Sequence, residues 1–157
     1  YRTGIGYDIH RMRKGRKLIL GGVHIPFVKG PVGHSDADVL LHAVCDAALG
    51  AAGLGDIGEH FPDSDPKYKG ISSVLFLKKV RGMISRGCFK VVNVDVMLIL
   101  DKPKIAGYKK DMCRTISKVL HIPPEAVNIK ATTAEGLGIH AKSRAVSAYA
   151  VATLKKQ

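Results

Sequence analysis

The stretch "DADVLLHAVCDAALGAAGLG", residues 36–55, decides how this chain folds. Alanine and leucine cover nearly every side of a helix drawn from about residue 38 to 52, and a helix that is apolar all round belongs in an interior. Glycines at 50, 53 and 55 mark its end. Asp38, His42 and Asp46 interrupt the apolar surface one turn apart and so share a face. Buried carboxylates are costly unless paired. A metal on His42 with a second shell of carboxylates would account for them.

Further candidate ligands stand near the start of the chain, in "GYDIH", residues 6–10. Strand residues alternate faces, so Asp8 and His10 point the same way. A D-x-H pair alone is more often an ordinary strand end than a site. With His42 it becomes an open three-ligand set, Asp8, His10 and His42, suited to zinc with the fourth position left for a substrate oxygen. A metal so placed acts as a Lewis acid on a phosphoryl group.

Around this pair the chain reads as mixed strands and helices. Residues 2–9 form a strand; "KLILGGVHIP" (17–26) forms a short hairpin around Gly21 and Gly22. Residues 71–87 and 107–121 form amphipathic helices, while 89–100, 127–133 and 144–154 form strands. The fold class is therefore α+β, a two-layer sandwich in which helices cover one face of a mixed four-stranded sheet, with the hairpin added. Neither an internal repeat nor a linker breaks residues 1–157, so a single domain is expected.

Composition narrows the function classes. The 25 lysines and arginines against 13 acids give a net charge of +12, which favours anionic partners. Aromatics make up only 6% and none lies in the basic run "RMRKGRK" (11–17), a pattern that disfavours nucleic acid. Three cysteines without a C-x-x-C pair argue against a disulfide framework or zinc ribbon and for a reducing compartment. No apolar run reaches the roughly 18 residues that a membrane span needs.

Three further segments carry polar chemistry. In "HSDAD" (34–38), Ser35 and Asp38 have capping-box spacing, and a helix N-terminus with His34 beside it suits a phosphate. "KATTAEG" (130–136) sets Thr132, Thr133 and Glu135 at a strand end, where hydroxyls and amides can hold phosphate oxygens and Glu135 a hard divalent cation. "DKPKI" (101–105) offers a proline-fixed loop whose backbone groups could read the edge of a base. The loop "GLGDIGEHFPDSDPKYKG" (53–70) is too long to be a bare connector.

Taken in order, "GIGYDIH", "GHSDADVLLHAVCDAALGAAGLGDIGEHFPDSDP", "DKPKI" and "KATTAEGLG" resemble the 2-C-methyl-D-erythritol 2,4-cyclodiphosphate synthases of the non-mevalonate isoprenoid pathway. The resemblance spans almost the whole chain. It implies a metal-dependent phosphorus–oxygen lyase, a homotrimer with active sites between subunits, and a small-molecule cytidine diphosphate substrate. Zinc would sit on Asp8, His10 and His42, and Glu135 would help hold a second divalent ion, magnesium or manganese. His34 and Thr133 would stabilise the transition state. The implied substrate contacts are Asp8, His10, His34, Ser35, Asp56, Ile57, Gly58, Phe61, Asp63, Leu100, Pro103, Lys104, Ile105, Ala106, Ala131, Thr132, Thr133, Glu135, Ile139 and Lys142. Among these, Asp56 and Gly58 match ribose contacts, Asp63 a methylerythritol contact, and Leu100 to Ala106 the cytosine loop. The implied location is the cytoplasm of a bacterium or the stroma of a plastid.

The chain departs from the family pattern at Ile139 and Lys142, where a phenylalanine and an arginine are common. Lysine keeps the charge but loses the bidentate fork, so prenyl-diphosphate binding in a trimer-axis cavity is not expected. Two other readings compete: a polyanion-binding protein, which explains the charge but not the D-x-H and H-S-D segments, and a metal-dependent phosphohydrolase, which shares the site but releases a linear product.

Overall fold

A computed structural model describes residues 1–157. Helix α1 (Val39–Ala52) lies across a sheet whose strand order is β4-β1-β7-β5-β6, built from β1 (Arg2–Lys14), β4 (Lys29–Pro31), β5 (Phe89–Ile99), β6 (Val127–Thr132) and β7 (Ala145–Lys156). Strands β2 (Leu18–Leu20) and β3 (Val23–Ile25) pair as a separate hairpin. Helices α3 (Ser73–Arg86) and α4 (Lys109–Leu120) complete the helical layer, and the four-residue α2 (Ile57–His60) sits in the long loop after α1. The pairings of β1 with β4 and β7, and of β7 with β5, are antiparallel. Only β5 and β6 run parallel, joined through α4 as a crossover requires.

The sheet has five strands, not the four expected. The extra one arises because β1 does not stop at Ile9 but runs on to Lys14, and its outer end pairs Met12 with Pro31, Arg13 with Gly30 and Lys14 with Lys29. A three-residue edge strand of Lys, Gly and Pro carries no periodic apolar signal, so nothing in the sequence announced it. The basic run 11–17 is accordingly half strand and half turn.

Helix α1 is buried as its composition demands: ten of its residues are buried, ending at Gly53 in the left-handed conformation. Its seat on the sheet is unusually close. A Cβ placed on Gly4 would stand 2.1 Å from the Ala47 carbonyl oxygen, and one on Gly6 2.0 Å from that of Ala43. Glycines on the strand and alanines at 43, 47 and 51 on the helix thus let two backbones touch. Next to β1 in the sheet the central strand β7 presents Ala148, Ala150 and Ala152, all buried.

Asp38 does not belong to the expected capping box with Ser35. It is itself the N-cap of α1, accepting from Leu41 N at 3.1 Å, and its two oxygens also accept from Gly21 N at 3.0 Å and Gly22 N at 2.7 Å in the β2–β3 turn. Burial raises its carboxyl to about 6 against the pull of these amides, so this residue ties the hairpin to the helix at an electrostatic cost. Asp46 likewise serves structure: it accepts from Ile57 N at 2.7 Å and anchors α2. The two carboxylates that flank His42 in sequence therefore brace loops rather than surround a metal.

Because no side chain fits between β1 and α1, Gly6→Ala should cost about 3 kcal/mol of unfolding free energy, the upper range for overpacking. Denaturant titration measures this; a change below about 0.5 kcal/mol, the level of a neutral surface substitution, would contradict the close seat.

Candidate metal centre and substrate clefts

The strand–helix contact sets the geometry of the centre. Beyond Gly4 and Gly6 on the same face of β1 come Asp8 and His10, and the adjoining turn of α1 carries His42. Asp8 Oδ2 stands 2.8 Å from His42 Nδ1 and 2.9 Å from His10 Nε2, and the two ring nitrogens are 3.3 Å apart. The second carboxylate oxygen of Asp8 accepts from Ile9 N at 2.8 Å, which fixes its orientation. Gly33 makes room for the His10 ring, since a Cβ there would come within 3.1 Å of His10 Cε1.

This triangle fits a metal. Ligand atoms around tetrahedral zinc with bonds of ~2.0–2.1 Å stand about 3.3 Å apart. The histidine–histidine edge has that length, and a small turn of the Asp8 carboxylate opens the other two. One carboxylate and two imidazoles also form the donor set of an open zinc site. Around it, Asp8, His10, His34, Ser35, His42, Ile57, Gly58, Phe61 and Asp63 line one cleft of about 380 Å³. Phe61, buried and stacked on Phe76 at 4.7 Å, forms its apolar wall.

Several expected site residues take up positions that the sequence did not suggest. At the start of α1 several amides are already taken by local side chains: Ala37 N donates to Ser35 Oγ, Asp38 N to Asp36 and Leu41 N to Asp38. Ser35 is buried, with its hydroxyl 3.2 Å from His42 Nε2, and His34 Nε2 lies 3.3 Å from the Asp65 carbonyl oxygen. Asp56 caps α2 through Glu59 N and stands just outside the lining of the cleft.

A second cleft, of about 210 Å³, gathers Leu100, Pro103, Lys104, Ile105, Ala106, Ala131, Thr132 and Thr133, with Asp101 and Lys109 in addition. It forms where β5 and β6 end side by side, Ile99 opposite Thr132. Glu135 lies just past it and accepts from Thr133 Oγ1 at 2.5 Å. Glu135 is not in the Asp8 triangle, and the two clefts share no residue. Ile139 belongs to neither; it lines a third cleft with Ile9, Arg11 and Arg144. The Lys142 carbonyl accepts from Lys29 Nζ at 2.8 Å.

Sequence reasoning missed Ser73 and Asp36. Ser73, the first residue of α3 and fully buried, places its hydroxyl 2.9 Å from His42 Nε2 and donates it to Asp36 Oδ1. A serine pair opening a helix reads as a cap, which Ser72 supplies here, so its neighbour carried no separate signal.

Fold and centre together define a class: an α+β protein with an Asp–His–His group able to hold a metal ion in the wall of a cleft. The model of the YgbB family matches residues 1–155. The chain is 53% identical over 155 residues to a 2-C-methyl-D-erythritol 2,4-cyclodiphosphate synthase from Syntrophomonas wolfei, covering 99% of both chains. It is 55% identical over 154 residues to a synthase of the same name from Desulfatibacillum aliphaticivorans, covering 98% of this chain and 99% of that one. A solved structure of 2C-methyl-D-erythritol-2,4-cyclodiphosphate synthase in a CDP-bound form superposes with a TM-score of 0.90 at 37% identity, covering 98% of this chain and 100% of the other. The chain belongs to the YgbB family.

The mutual electrostatics of Asp8, His10 and His42 yield a pH signature. Burial raises the Asp8 carboxyl, but hydrogen bonds from His10 and His42 outweigh it and hold the group far below its ordinary 3.8. Burial lowers His42, but the hydrogen bond and charge of Asp8 reverse this and hold it above its ordinary 6.5. The lowered Asp8 contributes stability present above 3.8 and lost as pH falls through its folded value. The raised His42 contributes stability present below 6.5 and lost as pH rises through its folded value. In chelator-treated protein, the stability advantage of wild type over Asp8→Asn should therefore be greatest between pH 3.8 and 6.5 and shrink on either side. An advantage independent of pH from 3 to 9 would refute the pairing.

Proposed function

We propose that the chain converts 4-diphosphocytidyl-2-C-methyl-D-erythritol 2-phosphate into 2-C-methyl-D-erythritol 2,4-cyclodiphosphate and CMP, a step in non-mevalonate isoprenoid precursor biosynthesis. The observation that carries this reading is the Asp8–His10–His42 triangle in a chain matched end to end by synthases of that name. An oxygen of the 2-phosphate forms a new bond to the β-phosphorus. The bond from that phosphorus to the bridging oxygen breaks, and CMP leaves with the bridging oxygen. The nucleophile is already anionic, so the protein needs to align and neutralise rather than to abstract a proton.

Asp8, His10 and His42 are the residues to hold zinc, which when bound supplies Lewis-acid polarisation of a phosphoryl oxygen. His34 faces the same cleft and serves as a donor to charge that develops on the phosphoryl oxygens. Thr133 does so from the second cleft, with Thr132 as a phosphate contact. Asp56 and Gly58 take the ribose hydroxyls, Ser35 and Asp63 the phosphate and methylerythritol part. The loop Leu100–Ala106 takes cytosine through backbone groups, and Lys104 adds positive charge beside the diphosphate. Glu135 helps hold magnesium or manganese, hard cations suited to carboxylate and phosphate oxygens. The CDP-bound relative supports a cytidine nucleotide as ligand.

The separation of the two clefts supports a homotrimer in which one subunit's metal cleft meets a neighbour's cytidine cleft. So does the apolar face of the sheet opposite α1. Ile5 pairs with Val151 and Tyr7 with Tyr149 across β1 and β7, yet Ile5 is 70% exposed, and the two tyrosine rings, tilted against each other at 4.6 Å, are exposed as well. A second and third copy would bury this surface.

Incubating metal-loaded protein with the cytidylyl substrate should yield CMP and the cyclic diphosphate in equal amounts by mass spectrometry. Inorganic phosphate or a linear product would instead indicate a hydrolase, and neither product would reject the assignment. In sedimentation at micromolar concentration the protein should run at three times its 16.9 kDa chain mass. A 16.9 kDa species would rule out the shared site.

A further inference from the structure

The His42 ring is held from behind as well as in front. Its Nδ1 edge faces Asp8 and His10, while its Nε2 edge faces Ser73 Oγ at 2.9 Å and Ser35 Oγ at 3.2 Å. Behind Ser73 stands Asp36, whose Oδ1 takes the Ser73 hydroxyl in a short hydrogen bond. The same carboxylate accepts from Ser73 N at 3.0 Å and from Asp38 N at 3.2 Å. Three donors converge on it, and none of its neighbours asks it to donate.

These contacts have a direction. A carboxylate only accepts, so the single proton of the Ser73 hydroxyl is committed to Asp36. What the serine oxygen still offers His42 is a lone pair. His42 must then carry a hydrogen on Nε2, so that when a metal displaces the hydrogen now shared between Nδ1 and Asp8, the Nδ1 lone pair is the one offered to it. Ser35 does not set this direction, since its hydroxyl accepts from Ala37 N and can still turn either way toward the ring.

We propose that Ser73 and Asp36 are positioning residues for the reaction, a relay that fixes His42 as its Nε2–H tautomer and keeps Nδ1 available to the metal. The inference rests on the reading of Asp8, His10 and His42 as a metal site and adds what orients its most buried ligand. The relay is well placed for this. Ser73 begins α3 and Asp36 precedes α1, so the pair also locks the starts of two helices at a fixed distance from the ring. Outer partners of this kind are typically worth about 10- to 100-fold in metal affinity.

The test compares zinc affinity, by competition with a chromophoric chelator, among wild type, Ser73→Ala, Ser73→Thr and Asp36→Asn. Folding of each is checked by thermal unfolding. Ser73→Ala should lose about 10- to 100-fold in affinity, and Ser73→Thr, which keeps the hydroxyl, should stay within about threefold of wild type. Asp36→Asn is the sharper case, because its amide can donate to Ser73 Oγ and turn the serine proton onto His42 Nε2. It should weaken zinc binding as much as Ser73→Ala does. Folded Ser73→Ala and Asp36→Asn that bind zinc like wild type would overturn the relay. Should those variants fail to fold, ¹⁵N-histidine spectra of zinc-loaded wild type decide: Nδ1 ligation with Nε2–H supports the proposal, and Nε2 ligation sinks it. Wild type that takes up no zinc would fail the metal-site reading itself, a separate result.

Discussion

Much of the molecule follows from one contact, the backbone-to-backbone seat of α1 on β1. Gly4 and Gly6 have no side chains, and Ala43, Ala47 and Ala51 present the helix's smallest non-glycine surface, so the two elements approach until carbonyl oxygens fill the space of the missing Cβ atoms. Close approach alone would be a packing detail. Its consequence lies two residues on: the strand face that carries the glycines next carries Asp8 and His10, and the helix turn beside them carries His42. The seat thus brings the strand's two ligand residues and the helix's one together, with the His10 and His42 ring nitrogens 3.3 Å apart.

The same seat explains why polar groups can be spent inside a small core. Asp38 is wholly buried yet receives three backbone amides, and Asp36 receives two amides and a hydroxyl. Each satisfies donors that would otherwise be stranded where loops meet the start of α1. The aspartates thereby convert the connections before α1 and α3 into parts of the scaffold. A metal ligand on a helix is only as well placed as the helix start, and here that start is bolted to the hairpin by one carboxylate and to α3 by another.

The legibility of this protein in its sequence follows the range of the forces involved. The amphipathic helices and strands β5 and β6 are readable because apolar periodicity reports local burial, α1 because it is apolar nearly all round, and β7 because its small and β-branched residues favour a strand. Asp8 with His10 was readable because strand alternation is local too. The edge strand β4 was not, since its three residues join the sheet through backbone groups alone. Asp38 and Asp46 were misread as a shell around the metal because helical spacing tells which side chains share a face, not which loop returns to meet them. Ser73 lies 31 residues from His42 in sequence and could only be found once the helices were packed. The two glycines of "GIGYDIH", opposed by alanines at four-residue spacing in α1, were a visible signal whose meaning required both elements at once.

Strand β1 thus has two occupations that alternate along its length. From Gly4 to His10 its even-numbered residues lie on the α1 side and include the metal ligands; the odd-numbered Ile5 and Tyr7 face outward with their β7 partners Val151 and Tyr149. In the proposed assembly the outward set is the surface on which neighbouring copies meet, while the inward set holds the centre those copies complete. Register couples the two, because a slip of one residue in β1 would exchange the faces and destroy both. Ten consecutive pairings with β7, from Arg2 opposite Leu154 to Arg11 opposite Ala145, forbid that slip. A long, regular central pairing is therefore what allows one strand to serve the metal on one side and association on the other.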